Sequence, residues 1–324
     1  MKSLLKVLGL LVGLVLVLAV GAYLWASYAT NQALTRTYET HRVDFAVPFP
    51  LTQEELAQLE IMEDPGGAIA LERARERGEH LIHARHACAD CHGADLSGGV
   101  MIDAFPMGTL LGPNLTAGAG GKTAAYSPAD WDRAVRHGVL PDGRPSMMPA
   151  GDFLLMTDRE LSDMVAFIES VPPVDNEVAP PSFGPLGRIL IATGQLPAAA
   201  AMIEDHNAPH ELVPPPAEVS VEFGRHLAGT CTGCHGTSLA GGPIAGGDPS
   251  WPPARNLTPH TDGLAGWSYD DFLAAMREAV RPDGTPLVAP MTFVTPAANV
   301  MTDIELRALW TYLQSLPPTP TPTP

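Results

Sequence analysis

Positive charge is scarce in this sequence. Its 324 residues hold 19 Lys and Arg against 36 Asp and Glu, a formal net charge of −17. That balance argues against a nucleic-acid partner. The deficit is not an acidic tail. Residues 68–172 carry 9 basic and 14 acidic side chains and residues 217–318 carry 5 and 10, so each segment has a charge of −5. Acidity spread in this way serves solubility and steering. Cysteine is scarce too: there are four, all in two short motifs, and none is left over for a disulfide. No stretch alternates apolar and polar residues as a half-buried strand would. Charge is missing altogether from Val7 to Trp25. As a helix rising ~1.5 Å per residue, this run nearly spans a hydrocarbon core of ~30 Å. Lys2 and Lys6 precede it, which keeps the N-terminus cytoplasmic. Tyr23, Trp25 and Tyr28 suit the far interface. The competing reading is a cleaved secretory signal, with "ASYA" (26–29) as the cleavage site. The length of the run favours an uncleaved anchor over residues 1–28. Both readings export everything after residue 30.

What is present is a repeat. "CADCHGADLSGG" from Cys88 matches "CTGCHGTSLAGG" from Cys231. "GPNLT" (112–116) matches "ARNLT" (254–258), and "YSPADWDRAVRHGVLPDG" matches "WSYDDFLAAMREAVRPDG". "MTDRELSDMVAFIESVPP" matches "MTDIELRALWTYLQSLPP". A duplication of about a hundred residues sets the architecture before any propensity argument. In each copy a helix is expected ahead of the Cys motif, around 68–87 and 217–230. Ser127 with Asp130 and Ser268 with Asp271 have the spacing of capping boxes, with Pro128 at a first helical position. Thr157 with Glu160 and Thr302 with Glu305 open a last helix in the same way. Apolar stripes on those last helices (Leu161, Val165, Ile168; Leu306, Trp310, Leu313) end at Pro pairs, which cannot continue a helix.

The expected class is all-α. An anchor (1–28) and a tether (29–67) lead to a first domain (68–172). A Pro-rich linker (173–216) follows, then a second domain (217–318) and a disordered tail (319–324). The apolar island 186–203 inside the linker reads as a helical element packed between the domains.

C-x-x-C-H reads as covalent haem attachment. Two thiols a turn apart, Cys88 with Cys91 and Cys231 with Cys234, can add across two vinyl groups. His92 and His235 then offer an imidazole to the iron. A redox C-x-x-C does not need the His. A zinc site would have to pair the two motifs across 143 residues. A haem would also supply much of the core that such small domains lack.

With CxxCH, then GPNL (ARNL in the second copy), then a Met ahead of a capped C-terminal helix, each copy resembles the small cytochrome c domain. Two copies behind one anchor resemble bacterial membrane-bound dihaem cytochromes c. They are also similar to the cytochrome subunits that take electrons from periplasmic dehydrogenases. The resemblance covers residues 68–318. It implies two haem c groups and an electron carrier, not an enzyme, on the outer face of the cytoplasmic membrane. Expected partners are a donor dehydrogenase or quinol-oxidising complex and an acceptor cytochrome or oxidase. It also implies that the Pro113 carbonyl holds His92 through its free ring nitrogen. In the second copy Arg255 stands at that position and Pro253 two residues earlier, so either the loop shifts or another acceptor serves His235.

For the distal iron ligands the resemblance points to Met148 and Met291. Each lies 56 residues after its motif His. Met147 competes with Met148, since only one thioether can face the iron. Met156 and Met301 are expected as apolar packing. Met101 and Met107 have no partner in the second copy. His80, His83, His86 and His226 are expected as surface or hydrogen-bonded residues, with a bis-His first haem as the alternative. His137 aligns with Glu278, which indicates no shared role. Met/His ligation closes the iron to substrate, so no catalytic residue is expected. The contrasting reading is a dihaem cytochrome c peroxidase, which needs one haem with an openable distal side.

Overall fold

The structure, a computed structural model, describes residues 2–244, 247 and 250–322. It opens on helix α1 (Lys2–Thr35), whose apolar side chains stand exposed along most of its length. This helix is long and apolar enough to cross a membrane. It continues past residue 28, so the first turns of the expected tether are helical. There it becomes buried at Ala26 and Thr30, against α7 (Pro185–Ala192). The Thr30 hydroxyl donates to the Arg188 carbonyl at 2.9 Å. The island 186–203 is therefore partly helical but does not pack between the domains as expected. Its helix finds its apolar partner on α1.

The first domain runs through α3 (Ala68–His80), a π turn (Leu81–Arg85), α4 (Cys88–His92), α5 (Pro128–Arg136) and α6 (Asp158–Ile168). The tether adds a short α2 (Gln53–Gln58). The second domain runs through α8 (Val221–Leu227), α9 (Thr232–His235), α10 (Tyr269–Glu278), α11 (Thr295–Val300) and α12 (Asp303–Ser315). All four expected capping boxes form, opening α5, α6, α10 and α12. In each domain the first helix crosses the last. Gly78 and Gly224 mark the crossings, because a Cβ there would collide with the carbonyls of Asp163 and Ala308. The cores correspond: Trp131, Leu161 and Val165 in the first, Phe272, Leu306 and Leu309 in the second.

The first domain also carries a small sheet that the sequence reading did not anticipate. Strands β1 (Gly99–Ala104) and β2 (Gly108–Gly112) pair antiparallel, and β3 (Ser182–Phe183) from the linker joins β2. The register slips between Val100 and Ile102, and most of β1 is exposed, so the alternation is broken. Among its described residues, the equivalent loop of the second domain makes an isolated bridge, Gly242 with Ala254, and no strand. Pro243, Pro252 and Pro253 interrupt it, and proline cannot donate to a ladder.

The tail is extended but fixed through Thr321, against the expectation of disorder. Asn256 Nδ2 donates to the Thr319 carbonyl at 2.7 Å, and the Thr321 amide donates to Asp262. The first domain uses the same device, with Asn114 Nδ2 donating to the Val174 carbonyl at 2.8 Å. The shared Asn-Leu-Thr thus holds the segment that leaves the last helix. Thr323 and Pro324 lie outside the described residues.

Candidate functional site

The two Cys motifs open onto one large apolar cavity of about 3010 Å³. Its walls include Cys88, Cys91, His92, Met147 and Met148 from the first domain, and Cys231, Cys234, His235 and Met291 from the second. Core residues of both domains line it as well, among them Trp131, Leu161, Phe272 and Leu313. The helices thus enclose a space large and apolar enough for two macrocycles.

Each motif histidine is clamped from behind. His92 Nδ1 lies 2.9 Å from the Pro113 carbonyl, and His235 Nδ1 lies 2.6 Å from the Arg255 carbonyl. A carbonyl only accepts, so Nδ1 carries the hydrogen and Nε2 keeps its lone pair. Burial holds both imidazoles below the ordinary histidine value, opposed by these hydrogen bonds, and so favours the neutral, ligating form. The substitution at 255 does not shift the loop or move the acceptor to another residue. The contact is to backbone, which Arg255 supplies as well as a proline would.

None of the four cysteines is in a disulfide. Burial pushes the Cys88 thiol up to about 12 and Cys231 up to about 11. A redox C-x-x-C has its nucleophilic thiol pushed down instead, so these pairs are unlike a disulfide-exchange centre.

Met148 packs on the core cluster that Cys88 also touches, and Met291 packs on the cluster that includes Cys231. Met147 lines the cavity without joining that cluster. The loops agree in their approach: bridges Val139 with Pro145 and Val280 with Pro286 precede the two methionines.

The domains meet through a reciprocal contact. His80 on α3 bonds the Glu305 carboxylate at 2.9 Å, and His226 on α8 bonds Glu160 at 2.7 Å. These are equivalent pairs: each histidine lies two residues after its crossing glycine, and each Glu is the third residue of the partner domain's last helix, where it closes the capping box. Arg85, from the π turn, reaches Glu160 at 2.8 Å and Glu305 at 3.8 Å. Burial alone would raise both carboxyls, but Arg85 and the histidines hold them below the ordinary glutamate value. Read singly, His80 and His226 promise only a hydrogen bond. The pattern that could have linked them was their equal offset from Gly78 and Gly224.

Two further residues at the cavity went unnoticed or undervalued in the sequence. His86 is half-buried, with both ring nitrogens buried and neither hydrogen-bonded, and it lines the cavity. Asp152, just after the Met148 loop, lies against the second attachment motif, where a Cβ on Gly233 would collide with its carboxylate. Burial pushes its carboxyl up to about 6.

Residues 73–168 match the family model described as cytochrome c oxidase, cbb3-type, subunit III, and residues 221–317 match the one described as cytochrome c. The chain is 29% identical over 260 residues to the alcohol dehydrogenase (quinone) cytochrome c subunit of Gluconacetobacter polyoxogenes, covering 72% of this chain and 54% of that protein. It therefore spans about half the length of that relative. It is 27% identical over 287 residues to a diheme cytochrome c-type protein of Cereibacter sphaeroides, covering 79% of this chain and 90% of that one. A gluconate 2-dehydrogenase cytochrome c subunit of Pantoea cypripedii is 39% identical over 101 residues, 28% of this chain and 22% of that protein.

Proposed function

Because the chain is a protein of two cytochrome c domains, we propose that it relays electrons between two haems on the outer face of the cytoplasmic membrane. Cys88, Cys91, Cys231 and Cys234 would hold the two haem c groups covalently. His92 with Met148 and His235 with Met291 would be the axial pairs. The observation that carries this reading is the shared cavity, onto which both clamped histidines and both methionines open. A bound haem supplies the reversible one-electron chemistry; the protein supplies ligands, burial and spacing.

The chain's own residues divide that work. Pro113 and Arg255 orient the imidazoles through their carbonyls. With haem bound, Met148 and Met291 would be the residues that close its distal sides against water and substrate. The contact of Asp152 with Gly233 sets the ligand loop of one domain against the attachment motif of the other, which favours a short path. The domain limits 68–172 and 217–318 belong to the same reading, with α1 as the anchor. The partners would be a donor dehydrogenase or quinol-oxidising complex and a downstream cytochrome or oxidase.

The acidic surface makes the encounter salt-dependent. Full-length protein in detergent, reduced with ascorbate, should pass electrons to a basic cytochrome at a rate that falls as ionic strength rises, and should not turn over hydrogen peroxide. A salt-independent rate, or sustained peroxide turnover, contradicts the relay reading.

Asp152 gives a pH dependence. An ionised carboxylate near a haem favours the oxidised form. The potential of the second domain's haem should therefore fall as pH rises through about 6, no more steeply than about 59 mV per unit. Asp152→Asn should flatten that slope, as read by redox titration at several pH values; an unchanged slope contradicts the assignment.

A further inference from the structure

Outside the haem cavity, three segments far apart in the sequence bring histidines to one buried carboxylate. His41 comes from the tether, His210 from the linker, and Asp132 and His137 from α5 and its C-terminal cap. One ligand atom from each lies within 4.8 Å of all the others. His41 Nε2 is 3.5 Å from Asp132 Oδ2, and His137 Nε2 is 3.1 Å from His210 Nε2. Four ligands at ~2.0–2.1 Å from a tetrahedral zinc ion stand about 3.3 Å apart.

The hydrogen bonds around the cluster fix which nitrogens carry hydrogen. His210 Nδ1 faces the Leu154 carbonyl at 3.1 Å, so it holds the proton and Nε2 is bare. His206 Nε2 faces the Ala200 carbonyl at 3.1 Å, which leaves His206 Nδ1 bare. That bare nitrogen lies 3.2 Å from His137 Nδ1, which must then donate, so His137 Nε2 is bare as well. Two lone pairs thus face each other across 3.1 Å. Beside them, His41 Nε2 and Asp132 Oδ2 are buried without a hydrogen-bond partner. A cation among these four atoms relieves both defects.

The charge balance agrees. Asp132 and Asp158 are buried against a single Arg136, which donates from Nε to Asp132 Oδ1 at 2.7 Å and forms an ion pair with Asp158 at 2.8 Å. The set has a net charge of −1 before any ion is added. Arg136 on Oδ1, Leu154 on His210 and His206 on His137 form the outer layer of orienting bonds that metal ligands ordinarily have.

We propose that His41, Asp132 Oδ2, His137 and His210 form a structural zinc site that clips the tether and the linker onto the first domain. Four protein ligands leave no open position, which suits a structural rather than a catalytic ion. The second domain lacks the site, since Leu273 and Glu278 stand where Asp132 and His137 would be.

The test is elemental analysis of the full-length, haem-loaded protein after dialysis against zinc chloride and then against zinc-free buffer. The expected result is about one zinc per two irons. X-ray absorption at the zinc edge should show only nitrogen and oxygen neighbours, at about 2.0–2.1 Å. His41→Gln should lose the zinc and keep both irons. The nearly isosteric Asp132→Asn should do the same, and it provides the answer if the first variant fails to fold. No zinc above background in the wild type overturns the proposal, as does zinc undiminished in both variants.

Discussion

Met148→Ala is expected to lower the potential of one haem by roughly 0.1–0.3 V, inside the ~0.8 V span that axial ligands command. A thioether sulfur favours the reduced iron and raises the potential. Water or an incoming base in its place does the opposite and opens the distal side. Met148 is the stronger candidate because it packs on the core of its domain, whereas its neighbour Met147 lines the cavity without that support. Met147→Ala should therefore shift the potential much less. Redox titration of both variants decides: a large shift in Met147→Ala and a small one in Met148→Ala means the loop presents the other sulfur. Met291→Ala should act likewise on the second haem.

Arg85→Met is expected to destabilise the fold by about 3–5 kcal/mol, the usual cost of stripping a buried ion pair of one partner. Among the described residues, Arg85 is the arginine that reaches both Glu160 and Glu305, and both of these also cap helices. Without it two buried carboxylates face each other across the domain contact. Thermal unfolding should begin earlier and separate into two steps, as the domains lose their common support. There is also an acid signature. The Glu160 carboxyl is held below its ordinary value of 4.5 by Arg85 and His226. A depressed carboxyl contributes stability that is present above the unfolded value and lost as pH falls below it. The wild type should therefore lose stability below about pH 4.5, and Arg85→Met should show less of that loss. An unchanged melting temperature with one unfolding step would contradict this account of the interface.

The fold was legible where a local signal coincided with duplication. The four capping boxes could be read from Ser127, Thr157, Ser268 and Thr302 because each is a short-range pattern that occurs in both copies. The two cytochrome c domains were legible because C-x-x-C-H is a short pattern repeated in both copies. The β1–β2 hairpin was not, because its register slip and exposure erase the alternation that marks a strand. The fixed tail was missed because a Thr-Pro run reads as disorder unless the waiting partners, Asn256 and Thr258, are known. The histidine cluster was the least legible feature. His41, His137 and His210 carry no spacing motif, and the second copy offers nothing to compare. The Arg255 substitution looked like a departure and changed nothing, since a backbone carbonyl does not depend on the side chain that bears it.

The central claim is two low-spin haems, each held by one histidine and one methionine. Its most direct test is a redox-titrated visible and near-infrared spectrum of the full-length protein. The account predicts two reduction steps and, in the oxidised state, a Met-to-iron charge-transfer band of an intensity that requires both haems. A bis-histidine signature or a high-spin component in either haem would contradict it.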